Sequence, residues 1–430
     1  MARKKQRRGK WLAVAAAVLV TTVTVVLVLN LGLGDKTVDQ DVHSLYSVED
    51  EQFRRVMSTM LGPALLNGNR TAALVNGDQI FPAMLEALRS ARKTITFEMY
   101  IYWSGRIGKA FADALAERAQ AGVKVHVLLD GVGAGKIDDS FIAQMEQAGV
   151  EVRRYNPPRP WTIGRFNNRT HRKILVVDGR IGFTGGVGIA DQWLGNAEDP
   201  QHWRDTHFRV EGPTVAQMQA AFMDNWTEVT GAVLHGADYF PALERRGSQW
   251  AQMFTSSPGG GSESMQLMYL MSIAAAKSTI DLAAAYFVPD NVDVNTLVAA
   301  LKRGVRVRII LPGRHIDAGV VRRASRARWG KLLEAGAEIY EYQPTMYHCK
   351  VMVVDALWTS VGSTNFDNRS FSVNDEANLN VYDGEFSRQQ VRMFEEDLKR
   401  ARRVTLEEWR ERPLTEKLQE NAAALLGSQL

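Results

Sequence analysis

Two short stretches carry residue types that can do chemistry together. Tyr347-His348-Cys349-Lys350-Val351-Met352-Val353-Val354-Asp355 is rich in alternating and β-branched residues. That pattern predicts a strand, on which His348 and Lys350, two apart, share a face. An imidazole beside an ammonium group suits an anion that is to be attacked. Thr170-His171-Arg172-Lys173-Ile174-Leu175-Val176-Val177-Asp178 repeats the His-x-Lys-x4-Asp spacing 177 residues earlier. After each Asp, with six residues between, comes a small pair: Gly185-Gly186 in one case, Gly362-Ser363 in the other. One His-x-Lys pair would be noise; two with the same sequel are a signal.

The chemistry such a pair could perform is displacement at phosphorus. With one histidine on either side of a phosphodiester, one imidazole attacks while the other protonates the departing alkoxide. Lys173 and Lys350 would neutralise the equatorial oxygens, and Asn365 would donate a hydrogen bond. The catalytic set is therefore His171, Lys173, Asp178, His348, Lys350 and Asp355. The two aspartates close their strands, a position that suits holding a turn better than moving protons. Each imidazole also needs a partner on its other nitrogen. Glu376, 28 residues past His348, is assigned to the second half, and Asp205 in Trp203-Arg204-Asp205 to the first. Ser363 and Gly186 complete the orienting group. Glu98 and Tyr100 fall at strand ends near the same place, where packing explains them equally well. His202 and His207 flank Asp205 but lack a third nearby ligand in the sequence. No carboxylate cluster asks for a metal, and no cofactor is expected.

The elements around these motifs alternate. Helix Ile80–Ala91, strand Thr94–Tyr102, helix Gly108–Ala121, strand Val123–Leu129, helix Asp139–Ala148 and strand Val150–Tyr155 lead to His171. Helix Met265–Ala276, strand Thr279–Val288, helix Val292–Arg303, strand Val305–Leu311, helix Val320–Ala335 and strand Glu338–Tyr342 lead to His348. The stretches 118–130 (RAQAGVKVHVLLD) and 300–312 (ALKRGVRVRIILP) are one theme written twice. The fold class is α/β: two duplicated α/β/α domains with mixed sheets, related by a pseudo-twofold axis. The first spans 71–255, the second 265–430 with a helical tail from Glu385, and a Ser/Gly-rich linker covers 256–264. Residues 35–70 read as a polar tether with a short helix.

The N-terminus has its own character. Six basic residues lie in the first ten positions, and Trp11–Gly34 is a run of 24 uncharged residues. Its length matches a hydrocarbon core about 30 Å thick, so 11–34 is read as a single transmembrane helix. The basic residues of 1–10 keep that end cytoplasmic, which places the body on the outer, periplasmic side of an inner membrane. Without those six, 46 basic residues face 48 acidic ones in a chain of 430. A near-neutral body speaks against a nucleic-acid partner. The single cysteine, Cys349, excludes an intrachain disulfide and reads as a buried apolar residue. The aromatic, proline-rich 155–161 and residues 236–240 are candidates for contact with a lipid interface. Arg204 and Arg369 are candidates for steering anionic headgroups.

The paired motifs resemble those of the phospholipase D superfamily, in which both copies build one site. Asn168-Arg169-Thr170-His171-Arg172-Lys173, Phe183-Thr184-Gly185-Gly186, Trp203-Arg204-Asp205-Thr206, Tyr286-Phe287-Val288-Pro289 and the run Gly362 to Phe371 are similar to bacterial cardiolipin synthases, over roughly residues 70–412. The resemblance implies that His171 is the nucleophile and His348 the general acid and base. It implies a phosphatidyl group passing from one phosphatidylglycerol to the hydroxyl of another, with release of glycerol, by an enzyme working at a membrane. Gly188 departs from the pattern, standing where an Asn is expected in the first half. The same residues would serve a phospholipase D using water as acceptor. A nuclease of the superfamily and a non-catalytic binder of anionic lipid are the remaining readings.

Overall fold

The computed structural model describes residues 10–22, 24, 38, 40–43, 46–157, 168–258, 265–425 and 427. The strands, in chain order, are β1 (Leu66–Val75), β2 (Thr94–Met99), β3 (Lys124–Asp130), β4 (Glu151–Tyr155), β5 (Arg169–Thr170), β6 (Lys173–Val177), β7 (Ile181–Gly185), β8 (Thr206–Glu211) and β9 (Gln249–Ser256). They continue as β10 (Thr279–Ala284), β11 (Phe287–Val288), β12 (Arg306–Pro312), β13 (Glu338–Tyr342), β14 (Lys350–Val354), β15 (Trp358–Gly362), β16 (Phe366–Asp367), β17 (Asn374–Tyr382) and β18 (Ala401–Val404). All but β11 and β16 belong to one mixed sheet, and those two pair with each other.

The sheet reads nearly the same in both directions from its centre. Outward from the antiparallel β1–β9 pair run β8-β7-β6-β2-β3-β4 on one side and β17-β15-β14-β10-β12-β13 on the other, with β18 added at the second edge. In each half three strands are parallel (β2-β3-β4 and β10-β12-β13). The inner ones are antiparallel. Parallel strands need crossover helices, and these cover the sheet. Four of them hand the chain to the next strand in one way: Gly122, Gly149, Gly304 and Gly336 adopt φ of 87, 96, 91 and 98°. A left-handed residue just past a helix end strains any side chain but leaves glycine at ease.

Strands β2, β3, β6, β10, β12 and β14 are buried almost throughout, as expected of strands with helices on both faces. One core cluster joins Ile174, Phe208 and Val210 of the first half to Val351, Leu379 and Phe394 of the second. The halves therefore share a core.

Several elements differ from expectation. β1 begins at Leu66, inside the stretch read as tether. The helix Glu51–Met60 before it is an ordered part of the second half, with Phe53 set edge-on against Trp358 at 5.2 Å. The strand expected over Thr279–Val288 breaks after Ala284, and its end, β11, leaves the sheet to pair with β16. The tail helix stops at Leu398, and β18 then adds an antiparallel edge to β13. Residues 10–22 are helical, while most of the rest of 11–34 lies outside the described residues. Among the described residues no helix is long and apolar enough to cross a membrane. Most of the expected linker 256–264, and of 155–161, also lies outside them.

Candidate active site

Each histidine sits just before a strand, where the chain is pinned across the molecule. In the first half, β5 pairs with the start of β17, and the His171 amide donates to the Asp375 carbonyl (2.9 Å). In the second, Arg204 bridges Tyr347, and the His348 amide donates to the Arg204 carbonyl (2.8 Å). In both cases the acceptor immediately precedes a carboxylate of the opposite half.

Those carboxylates hold the rings. His171 Nδ1 lies 2.9 and 3.0 Å from the two oxygens of Glu376, and His348 Nδ1 lies 2.7 Å from Asp205 Oδ2. Nearness in sequence assigns Asp205 to His171 and Glu376 to His348; the fold crosses both assignments. A β17 residue two strands away from β14 in the sheet cannot be seen from spacing alone. Both carboxylates are completely buried. Burial works against the Glu376 charge, but His171, Lys173 and Ser363 outweigh it and hold the carboxyl near 2. Burial likewise opposes the Asp205 charge, and His348, Lys350 and the Trp193 indole keep its pKa below the usual value.

The rings themselves are held neutral. Burial, reinforced by Lys173 and Lys350, takes His171 down to about 4 against the pull of Glu376. Burial and Lys350 lower His348, opposed by Asp205. A neutral imidazole donating from Nδ1 to a carboxylate keeps its Nε2 lone pair available. Each lysine bonds back to the carbonyl of its own histidine at 2.7 Å, and Lys350 Nζ also stands 3.1 Å from both nitrogens of the His348 ring. Burial takes Lys173 to about 7, with Lys350 pushing the same way, so the two ammonium groups feel each other across the halves.

The small pairs now have physical reasons. A Cβ at Gly186 would lie 2.2 Å from Asp205 Oδ1, so only glycine leaves room for that carboxylate. At the matching place in the second half, the Ser363 hydroxyl donates to Glu376 Oε2 (2.5 Å). Asn365 is buried on the following loop, and its Oδ1 has no partner among the described residues. Gly188 is packed against Ile101 and Trp193.

Asp178 and Asp355 require correction as catalytic candidates. They stand at the far ends of β6 and β14, roughly 20 Å of extended chain from their histidines. The Asp178 carboxylate accepts the amides of Arg92, Lys93 and Thr94, and that of Asp355 accepts those of Lys277, Ser278 and Thr279. Both hold turns. Arg204 also leaves the list of headgroup-steering groups: it is buried in a two-pronged pair with Asp397 (2.9 Å on each arm), which also accepts from Tyr347. His202 finds acidic neighbours that lie three and four residues before it in the sequence. Its Nδ1 lies 2.9 Å from Asp199 and 3.8 Å from Glu198. His207 is a core residue whose ring nitrogens have no partner among the described residues.

Sequence reasoning missed Trp193, whose indole donates to Asp205 Oδ2 (2.9 Å) while its ring meets His348 edge-on at 5.3 Å. No spacing signal marks it. Arg172, between His171 and Lys173, is fully buried and donates to the Ala221 carbonyl and to Asp224 and Ser257. Tyr100, set aside as packing, meets the His171 ring edge-on at 4.9 Å.

A family model described as "Cardiolipin synthase, PLD-like domain" matches the chain twice, at residues 84–226 and 269–398. The chain belongs to that family. Each matched segment contains one of the two histidine motifs. Among curated relatives, a cardiolipin synthase of Geobacillus kaustophilus is 36% identical over 361 residues, covering 83% of this chain and 72% of its own. Cardiolipin synthase 2 of Bacillus anthracis is 35% identical over 359 residues, covering 83% and 70%. Among solved structures, the phosphatidylserine synthase of Haemophilus influenzae superposes with a TM-score of 0.64 at 13% identity, over 88% of this chain and all of that one. At that identity the likeness is one of fold. The phospholipase D-like family thus accounts for the mixed sheet and for the occurrence of the motif twice.

Proposed function

We propose that this chain is a cardiolipin synthase-type phosphatidyl transferase using phosphatidylglycerol as both donor and acceptor. The observation that carries the proposal is the crossed pairing of each imidazole with a buried carboxylate of the other half. In this reading His171 Nε2 attacks the phosphorus of one phosphatidylglycerol, and the bond from phosphorus to the glycerol headgroup oxygen breaks. His348 supplies the proton that glycerol carries away. The phosphodiester anion offsets the two lysines when it binds, which raises the His348 pKa and equips that ring for the task. His348 then takes the proton from the hydroxyl of a second phosphatidylglycerol. The resulting oxygen attacks, the phosphorus–nitrogen bond breaks, and His171 is free again. Lys173 and Lys350 stabilise the equatorial oxygens, and Asn365 adds an amide. The palindromic strand order and the double family match support descent of both halves from one ancestral unit.

The stretch 11–34 is proposed as the anchor that keeps this reaction at a membrane, with the basic residues before it on the cytoplasmic side. Its described part supports that reading: Trp11, Leu12, Val14, Val18, Leu19 and Val20 are exposed on the helix of residues 10–22.

The test is incubation of the purified chain with phosphatidylglycerol vesicles. Equal release of cardiolipin and glycerol is expected. Phosphatidic acid and glycerol without cardiolipin would instead identify a hydrolase.

A further inference from the structure

A cleft of about 490 Å³ opens beside the site, lined by Trp103, Ser104, Lys136, Gln192, Gln201 and His202 together with Asp191. Its walls are loops. Trp103 and Ser104 follow β2, Lys136 follows β3, and the glutamines and His202 lie on the connection from β7 to β8. His171 precedes β6, whose Lys173 faces Met99, the last residue of β2. The cleft and the histidines therefore share the same edge of the sheet, the carboxyl ends of the parallel strands, where such sheets bind ligands. Its lining also adjoins Trp203, which walls one ring in particular. The Trp203 amide donates to the Gln192 carbonyl (2.7 Å), His202 adjoins Trp203 in the chain, and the Trp203 ring lies 5.4 Å from that of His348.

The lining chooses its ligand. Asp191 also lines the cleft, but each of its oxygens already accepts a backbone amide, of Arg106 and Ile107 at the start of the helix Arg106–Gln120. Lys136 is held over the Trp103 ring at 4.0 Å, an ammonium fixed in place by a cation–π contact. Two primary amides and a serine hydroxyl offer both donors and acceptors. Such a set fits several hydroxyl groups next to one negative charge.

We propose that this cleft binds the polyol headgroup of the acceptor lipid and presents its terminal hydroxyl to His348, with Lys136 meeting the acceptor's own phosphodiester. The proposal rests on the transferase reading given above. In the step it serves, the acceptor hydroxyl gives its proton to His348 and its oxygen takes the phosphatidyl group from His171. The donor needs no such cleft, because its phosphorus is fixed by the lysines. The choice of a lipid alcohol over water is then made by amides that water is too small to engage together.

The experiment compares two small acceptors in the full chain, with phosphatidylglycerol as donor. Labelled glycerol exchanges into the lipid headgroup, and ethanol gives phosphatidylethanol. Gln192→Ala combined with Gln201→Ala should lower glycerol transfer relative to ethanol transfer by on the order of tenfold, the worth of one or two good hydrogen bonds. Lys136→Ala should leave that ratio unchanged but raise the KM for phosphatidylglycerol as acceptor. All three residues are exposed or half-buried, so the variants keep the fold. Equal loss with glycerol and ethanol, or no loss with either, overturns the cleft assignment while leaving the transferase intact. A native chain that transfers to neither alcohol and makes no cardiolipin overturns the transferase reading itself.

Discussion

The two histidine pockets are built to one plan from different parts. His171 is gripped by a glutamate, which is steadied by the Ser363 hydroxyl and the Asn374 amide, with Tyr100 against the ring edge. His348 is gripped by a shorter aspartate, steadied by the Trp193 indole and walled by Trp193 and Trp203. Behind His171 lies a charged network: Thr170 donates to Glu98, Asn225 donates to the same oxygen, and Arg172 reaches Asp224. Behind His348 the residue matching Arg172 is Cys349, whose thiol is pushed up to about 12, chiefly by burial. The plan they share gives each ring a neutral, oriented state. The differences give the rings unequal surroundings, which suits the proposed division into one ring that forms a covalent bond and one that only moves protons.

The sharpest way to break this comparison is to remove each ring in turn. His171→Ala and His348→Ala should each lower turnover by about 10⁴-fold or more. With a donor carrying an aryloxide leaving group that needs no proton, His348→Ala should still accumulate a phosphoenzyme, and His171→Ala should not. Label trapped in both variants, or only in His171→Ala, would reverse or erase the assigned roles.

The crossing of the carboxylates is tested next. Asp205→Asn and Glu376→Gln keep shape but lose the charge that selects the tautomer, a change worth roughly 10²–10⁴-fold in kcat. Because Asp205 belongs to His348, Asp205→Asn should behave as the His348 variant does with the aryloxide donor and still form the phosphoenzyme. Glu376→Gln should not. The opposite outcome would restore the pairing that nearness in sequence suggests.

A smaller contrast lies in the residues beneath the carboxylates. Gly186→Ala drives a Cβ into Asp205 and should cost about 10²-fold in kcat. Ser363→Ala removes one hydrogen bond from Glu376, which still has His171 and Asn374, and should cost about tenfold. Equal effects would mean that Gly186 does not make room for the carboxylate.

How much of this could be read from the chain follows the range of each interaction. His171, Lys173, His348 and Lys350 were visible because the His-x-Lys-x4-Asp spacing is local and occurs twice with the same sequel, which raises it above noise. The αβ alternation was visible for the same reason, as was the repeat of 118–130 in 300–312; that Gly122 and Gly304 within those stretches are left-handed is seen only in the structure. The partners were another matter. Nearness in sequence joins Asp205 and Glu376 to the wrong rings, because the two halves pair through β9 and β17 at distances no local pattern encodes. Trp193 was invisible, since a tryptophan on a loop carries no spacing. β1 was hidden by its content of Asn, Gly and Arg, residues tolerated because it is held between β8 and β9.

The pH profile offers a further test, since the proposed first step needs neutral His171, protonated His348 and charged Lys173. In the free enzyme His171 lies near 4, Lys173 near 7 and His348 below the ordinary imidazole value. kcat/KM should therefore fall on the acid side as pH approaches the His171 value, and on the alkaline side as His348 and then Lys173 lose their protons. Lys173→Arg, which cannot lose its proton, should make the alkaline fall shallower above about pH 7 even if it lowers the plateau. An unchanged alkaline slope in that variant would assign the second lost proton to another group, Lys350 being the first to examine.

The smallest effect concerns stability and separates the lysine's chemical service from any structural one. Folding lowers the Lys173 pKa from its ordinary 10.5 to about 7. A cation with a depressed folded pKa binds more protons when unfolded, so it destabilises the fold most at and below pH 7. That penalty is relieved as pH rises toward 10.5. Lys173→Met keeps the length of the side chain and abolishes the charge. It should abolish activity yet raise unfolding free energy by roughly 1–3 kcal/mol at pH 7, with the gain shrinking to nothing near pH 10. Thermal unfolding of both proteins across that range reads the difference directly. A destabilised Lys173→Met at pH 7 would show that the bond from Lys173 to the His171 carbonyl supports the fold, and that the ammonium is retained for more than its service to phosphate.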